Sequence, residues 1–141
     1  MKRILGIDFG DVRTGIAVSD AEHFLASGLV TLTAPSLGAL IEKIKSIAIE
    51  KDVEKIVLGH PINMNGTLGE RSEKIKRFAA RLESELALPV LLFDERCSTM
   101  AAHQFLNATD TRGKKRKEVV DTLSAQIILQ NYLDAQKQTS H

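Results

Sequence analysis

Residues Arg3–Asp20 read RILGIDFGDVRTGIAVSD, with glycines at 6, 10 and 15. Ile4–Asp8 and Gly15–Ser19 are the apolar, β-branched runs that strands favour, and FGDVRT between them carries the glycine and aspartate of a turn. The stretch predicts a β-hairpin with a loop longer than the two-residue ideal. Its anomaly is Asp8. A carboxylate at the end of a core strand costs several kcal/mol unless a partner, a metal or solvent offsets the cost.

Beyond the hairpin, Ala26–Thr33 (ASGLVTLT) predicts a third strand. Pro35-Ser36 ends it and opens a helix whose apolar residues recur at 37, 40, 41, 44, 47 and 48. Lys55–Gly59 and Pro89–Phe93 are short continuous apolar runs, as in inner parallel strands covered on both faces. Between them lie the loop HPINMNGTLG and a helix with Ile75, Phe78, Ala79, Leu82 and Leu86 on one stripe. Ser98 caps a short predicted helix to about Leu106, the basic segment RGKKRK forms a loop, and Glu118–Asp134 predicts a strong final helix. The order β-β-β-α-β-α-β-α-α predicts an α/β fold, a mixed five-stranded sheet with helices on both faces. Right-handed crossovers align Asp8, Gly59 and Asp94 along one rim, where open α/β sheets bind ligands.

The 141 residues predict a single domain over 1–141 with one hydrophobic core. The chain is 43% apolar and 26% charged, a globular balance, and no apolar run approaches the ~20 residues of a membrane span. MKRILGID meets Asp8 too early for a signal peptide, and one cysteine excludes an internal disulfide, so a cytoplasmic setting is expected. The net charge of +1 hides an asymmetry. Residues 1–111 hold 13 basic and 15 acidic groups, whereas residues 112–141 hold six and three.

Three acids from distant points converge on the predicted rim. Asp8 ends the first strand, Asp94-Glu95 ends the last, and Asp121 shares a helical stripe with Ala125, Ile128 and Tyr132. Acids packed together repel and raise their own pKa values, and divalent cations resolve the conflict. Mg²⁺ takes oxygen ligands from one or two carboxylates and from substrate phosphate. Two such ions about 4 Å apart suit phosphodiester hydrolysis, which then needs a water and no protein nucleophile. Each acid also has a plainer reading. Asp8 could cap the turn, Asp121 could pair with Lys117, and Asp94 or Glu95 could pair with Arg96 or cap the next helix.

The runs IDFGDVRTGIAVSD, IVLGHPINMNGTLGERS, FDERCSTMAA and KRKEVVDTLSAQIILQNYLD closely resemble the RuvX/YqgF family over nearly the whole chain. The resemblance implies an RNase H-like fold. It implies either a nuclease for the 5′ end of pre-16S ribosomal RNA or a Holliday junction resolvase, using Mg²⁺ or Mn²⁺, with two ions expected. By position, Asp8 matches the first-strand metal-binding acid, Glu95 the second and Asp121 the final-helix acid. The fourth strand ends in LGHP without the acid common in this superfamily, so Glu95 substitutes from its neighbour. His60 and Cys97 stand where the family pattern has apolar residues, and Cys97 reads as a small hydrophobe.

Asn63 and Arg71 flank the rim loop, where they could hold phosphate or base, and Arg96 adjoins Glu95. Arg112, Lys114, Lys115, Arg116 and Lys117 run into the helix of Asp121, suited to gripping the backbone beside a scissile phosphate. With five Phe, one Tyr and no Trp, stacking platforms are poorly supplied, which favours structured RNA or branched DNA over single strands. The sequence leaves the oligomeric state open between monomer and homodimer: cutting two strands of a junction needs a symmetric dimer, whereas trimming RNA does not. Two rivals follow from the same residues. I-D-x-G-x-x-x-x-G also opens sugar kinases and actin-like ATPases, which need a second domain, and an RNase H-like domain can be a catalytically silent binding module.

Overall fold

The computed structural model describes residues 2–10, 12–60, 70–94 and 113–139. Five strands, β1 (Arg3–Asp8), β2 (Thr14–Ser19), β3 (Ala26–Leu32), β4 (Val53–His60) and β5 (Val90–Asp94), form one sheet in the order β3-β2-β1-β4-β5. Three helices accompany them among the described residues: α1 (Leu37–Glu50), α2 (Glu70–Leu86) and α3 (Gly113–Thr139). β1–β2 and β2–β3 pair antiparallel, whereas β1–β4 and β4–β5 pair parallel, so the sheet is mixed as predicted.

Strand alternation sorts the side chains between two cores. Leu5, Ile7, Ile16, Val18, Ile56 and Leu58 pack against Leu40, Ile41 and Ile44 of α1 and Ile75, Phe78 and Leu82 of α2. Phe9 extends this core just past β1 and stacks on Phe78, their ring centroids 4.2 Å apart. The other face carries Ile4, Ala17, Ala26 and Val57 against Ala125, Ile128, Leu129, Tyr132 and Leu133 of α3. Small residues dominate the sheet on that side, which lets a long helix lie close to it. A Cβ at Gly6 would stand 2.7 Å from the Leu129 Cβ, and one at Gly28 3.3 Å from the Thr122 Cβ.

Local chemistry sets the boundaries. Ser36 caps α1 by accepting the Ala39 N–H at 3.2 Å, a contact worth about 1 kcal/mol. α2 stops at Ala87, whose φ of 55° is left-handed and whose N–H returns to the Glu83 carbonyl at 3.0 Å. α3 corrects the sequence reading: it begins at Gly113, so residues 113–117 are helical and not a loop. Lysine and arginine are good helix formers, so a block of them continues a helix as readily as it solvates a loop. The helix expected from Ser98 to Leu106 lies outside the described residues.

Candidate functional site

Asp8 closes β1 half-buried, two residues beyond Gly6 and on the same face of the sheet, toward α3. α3 runs antiparallel to β1. At the start of β3 the Ala26 N–H donates to Gln130 Oε1 at 2.9 Å, whereas two residues on, Gly28 faces Thr122. β3 is parallel to β1 because each is antiparallel to β2. Gly6 lies against Ala125 and Leu129. From that contact, two strand residues cover about 7 Å to Asp8, and four helix residues cover about 6 Å back to Asp121. The two aspartate positions therefore stand at one level of the β1–α3 interface. Ala125, Ile128 and Tyr132, which continue the Asp121 stripe, are all buried as the periodicity required.

The parallel strands complete the rim. Ile7 pairs with Leu58, Gly59 with Phe93, and His60 with Asp94, so β1, β4 and β5 end side by side. Phe93 lies on the α3 side, its ring edge-on to Tyr132 at 5.8 Å. His60, read from sequence as a loop residue, is the last residue of β4. Glu95, Arg96, Asn63 and Arg112 lie outside the described residues. Arg71 is the second residue of α2, and Lys114, Lys115, Arg116 and Lys117 occupy the first turn and a half of α3. Their side chains, like that of Asp121, are not among those described. Among the described residues, no three His, Cys, Asp or Glu side chains gather into a metal-binding group. The donor chemistry is nonetheless that of a hard cation: a half-buried carboxylate at the strand end, with a second aspartate position level with it.

Sequence reasoning missed one feature of this rim. On the opposite face of β1, a cleft of about 210 Å³ opens between the hairpin turn, the start of α1 and Lys74. It has no motif, because its walls come from three separate segments, 9–14, 32–40 and Lys74.

The family described as "RuvX: Holliday junction resolvase" matches residues 2–135. The chain belongs to the RuvX family. Among its RuvX-family relatives, a protein of Geobacillus thermodenitrificans named "Putative pre-16S rRNA nuclease" is 47% identical over 137 residues, covering 96% of this chain and 99% of its own. A relative of the same name from Thermoanaerobacter pseudethanolicus is 45% identical over 136 residues, covering 96% and 98%. The solved structure of Thermus thermophilus RuvC with a Holliday junction substrate superposes with a TM-score of 0.61 at 14% identity, covering 99% of this chain and 98% of that one. The yeast mitochondrial Holliday junction resolvase Ydc2 gives 0.59 at 13% identity, covering 99% and 81%. These likenesses establish the RNase H-like fold, and membership of RuvX makes this a chain of a nuclease family. No described helix is long and apolar enough to cross a membrane.

Proposed function

We propose that the protein is a cytoplasmic, divalent-metal-dependent endonuclease acting on structured nucleic acid, with the 5′ end of pre-16S ribosomal RNA as its main substrate. The observation that carries this reading is the shared level of Asp8 and Asp121 beside the strand rim of a RuvX-family chain. Asp8, Asp121 and Glu95 are the residues that would hold Mg²⁺ or Mn²⁺, two ions suiting three carboxylates. Such ions, when bound, lower the pKa of water and neutralise charge on the leaving oxygen.

The remaining work falls to side chains that bind and orient the strand. Lys114, Lys115, Arg116 and Lys117 lie within two turns N-terminal to Asp121, where they would contact phosphates without reading sequence. Arg112, Arg71, Arg96 and Asn63 would extend this grip around the rim.

A second reading, cleavage of a four-way DNA junction, is favoured by the family description and by the RuvC fold likeness. It would require a symmetric dimer to cut paired strands. Purified protein and Asp8→Asn, each incubated with a pre-16S 5′-leader RNA and a four-way junction in Mg²⁺, Mn²⁺ or EDTA, separate the readings on a denaturing gel. Metal- and Asp8-dependent cleavage establishes the nuclease, and the preferred substrate selects its role. Binding without cleavage under every metal condition would replace it with a silent binding module.

A further inference from the structure

The rim has a second pocket, on the face of β1 away from α3. Gly10 and Thr14 of the hairpin, Leu32 at the end of β3, Ser36 and Leu37 at the start of α1, and Lys74 of α2 line the cleft of about 210 Å³. A Cβ at Gly10 would collide with the Arg13 carbonyl oxygen, so the turn closes tightly along one wall. Positive charge converges here. A helix N-terminus carries roughly half a positive charge and attracts anions, yet the first turn of α1 has no acidic residue. Ser36 satisfies the Ala39 N–H through its side chain and the Leu40 N–H through its carbonyl. The N–H groups of Leu37 and Gly38 have no hydrogen-bond partner among the described residues.

Two cations stand beside this positive end. Lys74 lies over the Phe9 ring, its Nζ 5.9 Å from the centroid. Arg81 Nε bonds Glu85 at 2.8 Å, while its Nη2 lies 3.4 Å from the point a Cβ on Gly38 would occupy. Arg81 is thus already paired with Glu85, and Lys74 is the cation that lines the cleft itself.

Thr14 is an independent sign of a ligand. It is 2% exposed, it shares the α1/α2 face of β2 with Ile16 and Val18, and it lines the cleft. Its hydroxyl has no hydrogen-bond partner among the described residues, although buried hydroxyls are ordinarily paired. A donor left open inside a cationic cleft is what a phosphate oxygen would satisfy.

We propose that this cleft binds a phosphate flanking the scissile one, on the nucleic-acid strand that leaves the candidate metal site. The proposal rests on the nuclease reading, since Gly10 follows Asp8 by only two residues and the cleft therefore adjoins the rim where a bound strand would leave the metal site.

The test uses full-length wild type, Lys74→Gln, Lys74→Arg and Thr14→Val with the pre-16S 5′-leader RNA in EDTA, across a salt series. Lys74→Gln is expected to weaken binding about threefold to tenfold and to flatten the slope of log affinity against log salt by about 0.7 to 0.9, the share of one phosphate. Lys74→Arg restores both. Thr14→Val is expected to raise the melting temperature of the free protein while weakening RNA binding severalfold. A residue with a purely structural role would not move these in opposite directions. Inorganic phosphate, added alone, is expected to shift the Thr14 and Leu37 amide resonances. Unchanged affinity and slope in both Lys74→Gln and Thr14→Val, with Asp8-dependent cleavage intact, would overturn the cleft and leave the nuclease standing. The same unchanged RNA binding alongside saturable phosphate shifts would overturn the strand assignment in favour of a free-anion site. Wild type that neither binds nor cuts RNA or the junction would overturn both readings.

Discussion

A methyl group at position 6 would stand 2.7 Å from the Leu129 Cβ and 3.2 Å from the Ala125 carbonyl oxygen, so Gly6→Ala has to push α3 away from β1. The expected loss is about 1 to 3 kcal/mol, the usual cost of overpacking, read as a lower denaturant midpoint at unchanged slope. Because α3 also carries Asp121, cleavage by the folded variant should fall further than its folded fraction does. Asp8→Asn should behave in the opposite way. Its cleavage rate is expected to drop at least about a hundredfold, as when one preorganised charged group is removed, while its melting temperature holds. Asp8 was legible in the sequence because a carboxylate ending an apolar strand is an anomaly in one dimension. Gly6 and Thr14 were not. What makes each of them matter is a neighbour more than 20 residues away, Leu129 for the one and Lys74 for the other.

Helix and strand identities were legible where period and length agreed, and the ends were less so. Ser36 announced α1 through its capping chemistry. The end of α2 had no such sign, because an alanine occupies the left-handed position that glycine usually fills. Ala87→Gly should therefore stabilise the fold by up to about 1 kcal/mol: the relieved strain of ~1–2 kcal/mol exceeds the added unfolded-state entropy of ~0.4–1 kcal/mol. Thermal denaturation would show it. The start of α3 was misplaced because lysine-rich segments lack periodicity, so only packing of the later turns reveals that the helix extends back to Gly113. The turn joining β2 to β3 is held by charge. Asp20 accepts the Phe24 N–H at 2.7 Å and the Leu25 N–H at 3.4 Å. The Phe24 hydrogen bond, chiefly, holds its carboxyl below the ordinary aspartate value, with Leu25 and His23 assisting against desolvation. A lowered folded pKa means this contribution is complete above the unfolded pKa of about 3.9 and is lost as pH falls through the folded value. Acid titration of stability should show that loss in wild type and not in Asp20→Asn.

Across the whole molecule, the helices begin where the strands end. Strands β1, β3, β4 and β5 run in one direction, and α1 and α2 follow β3 and β4 in the chain, so their N-termini open on the rim where Asp8 and Asp94 stand. α3 runs antiparallel to β1 and brings its own N-terminus to the same edge. Neither α1 nor α3 has an acidic residue in its first turn, and at α3 four basic residues add to the positive helix end. This arrangement destabilises the free protein, since each cation in a first helical turn is unfavourable by about 0.3 to 1 kcal/mol. It becomes favourable when phosphates arrive. Replacing Lys114, Lys115, Arg116 and Lys117 together by Gln should therefore raise the melting temperature of the free protein. It should also weaken RNA binding and flatten its salt dependence by about 0.7 to 0.9 for each phosphate the variant no longer engages. A lower melting temperature with unchanged binding would show that the basic turns serve the helix itself and not a nucleic acid.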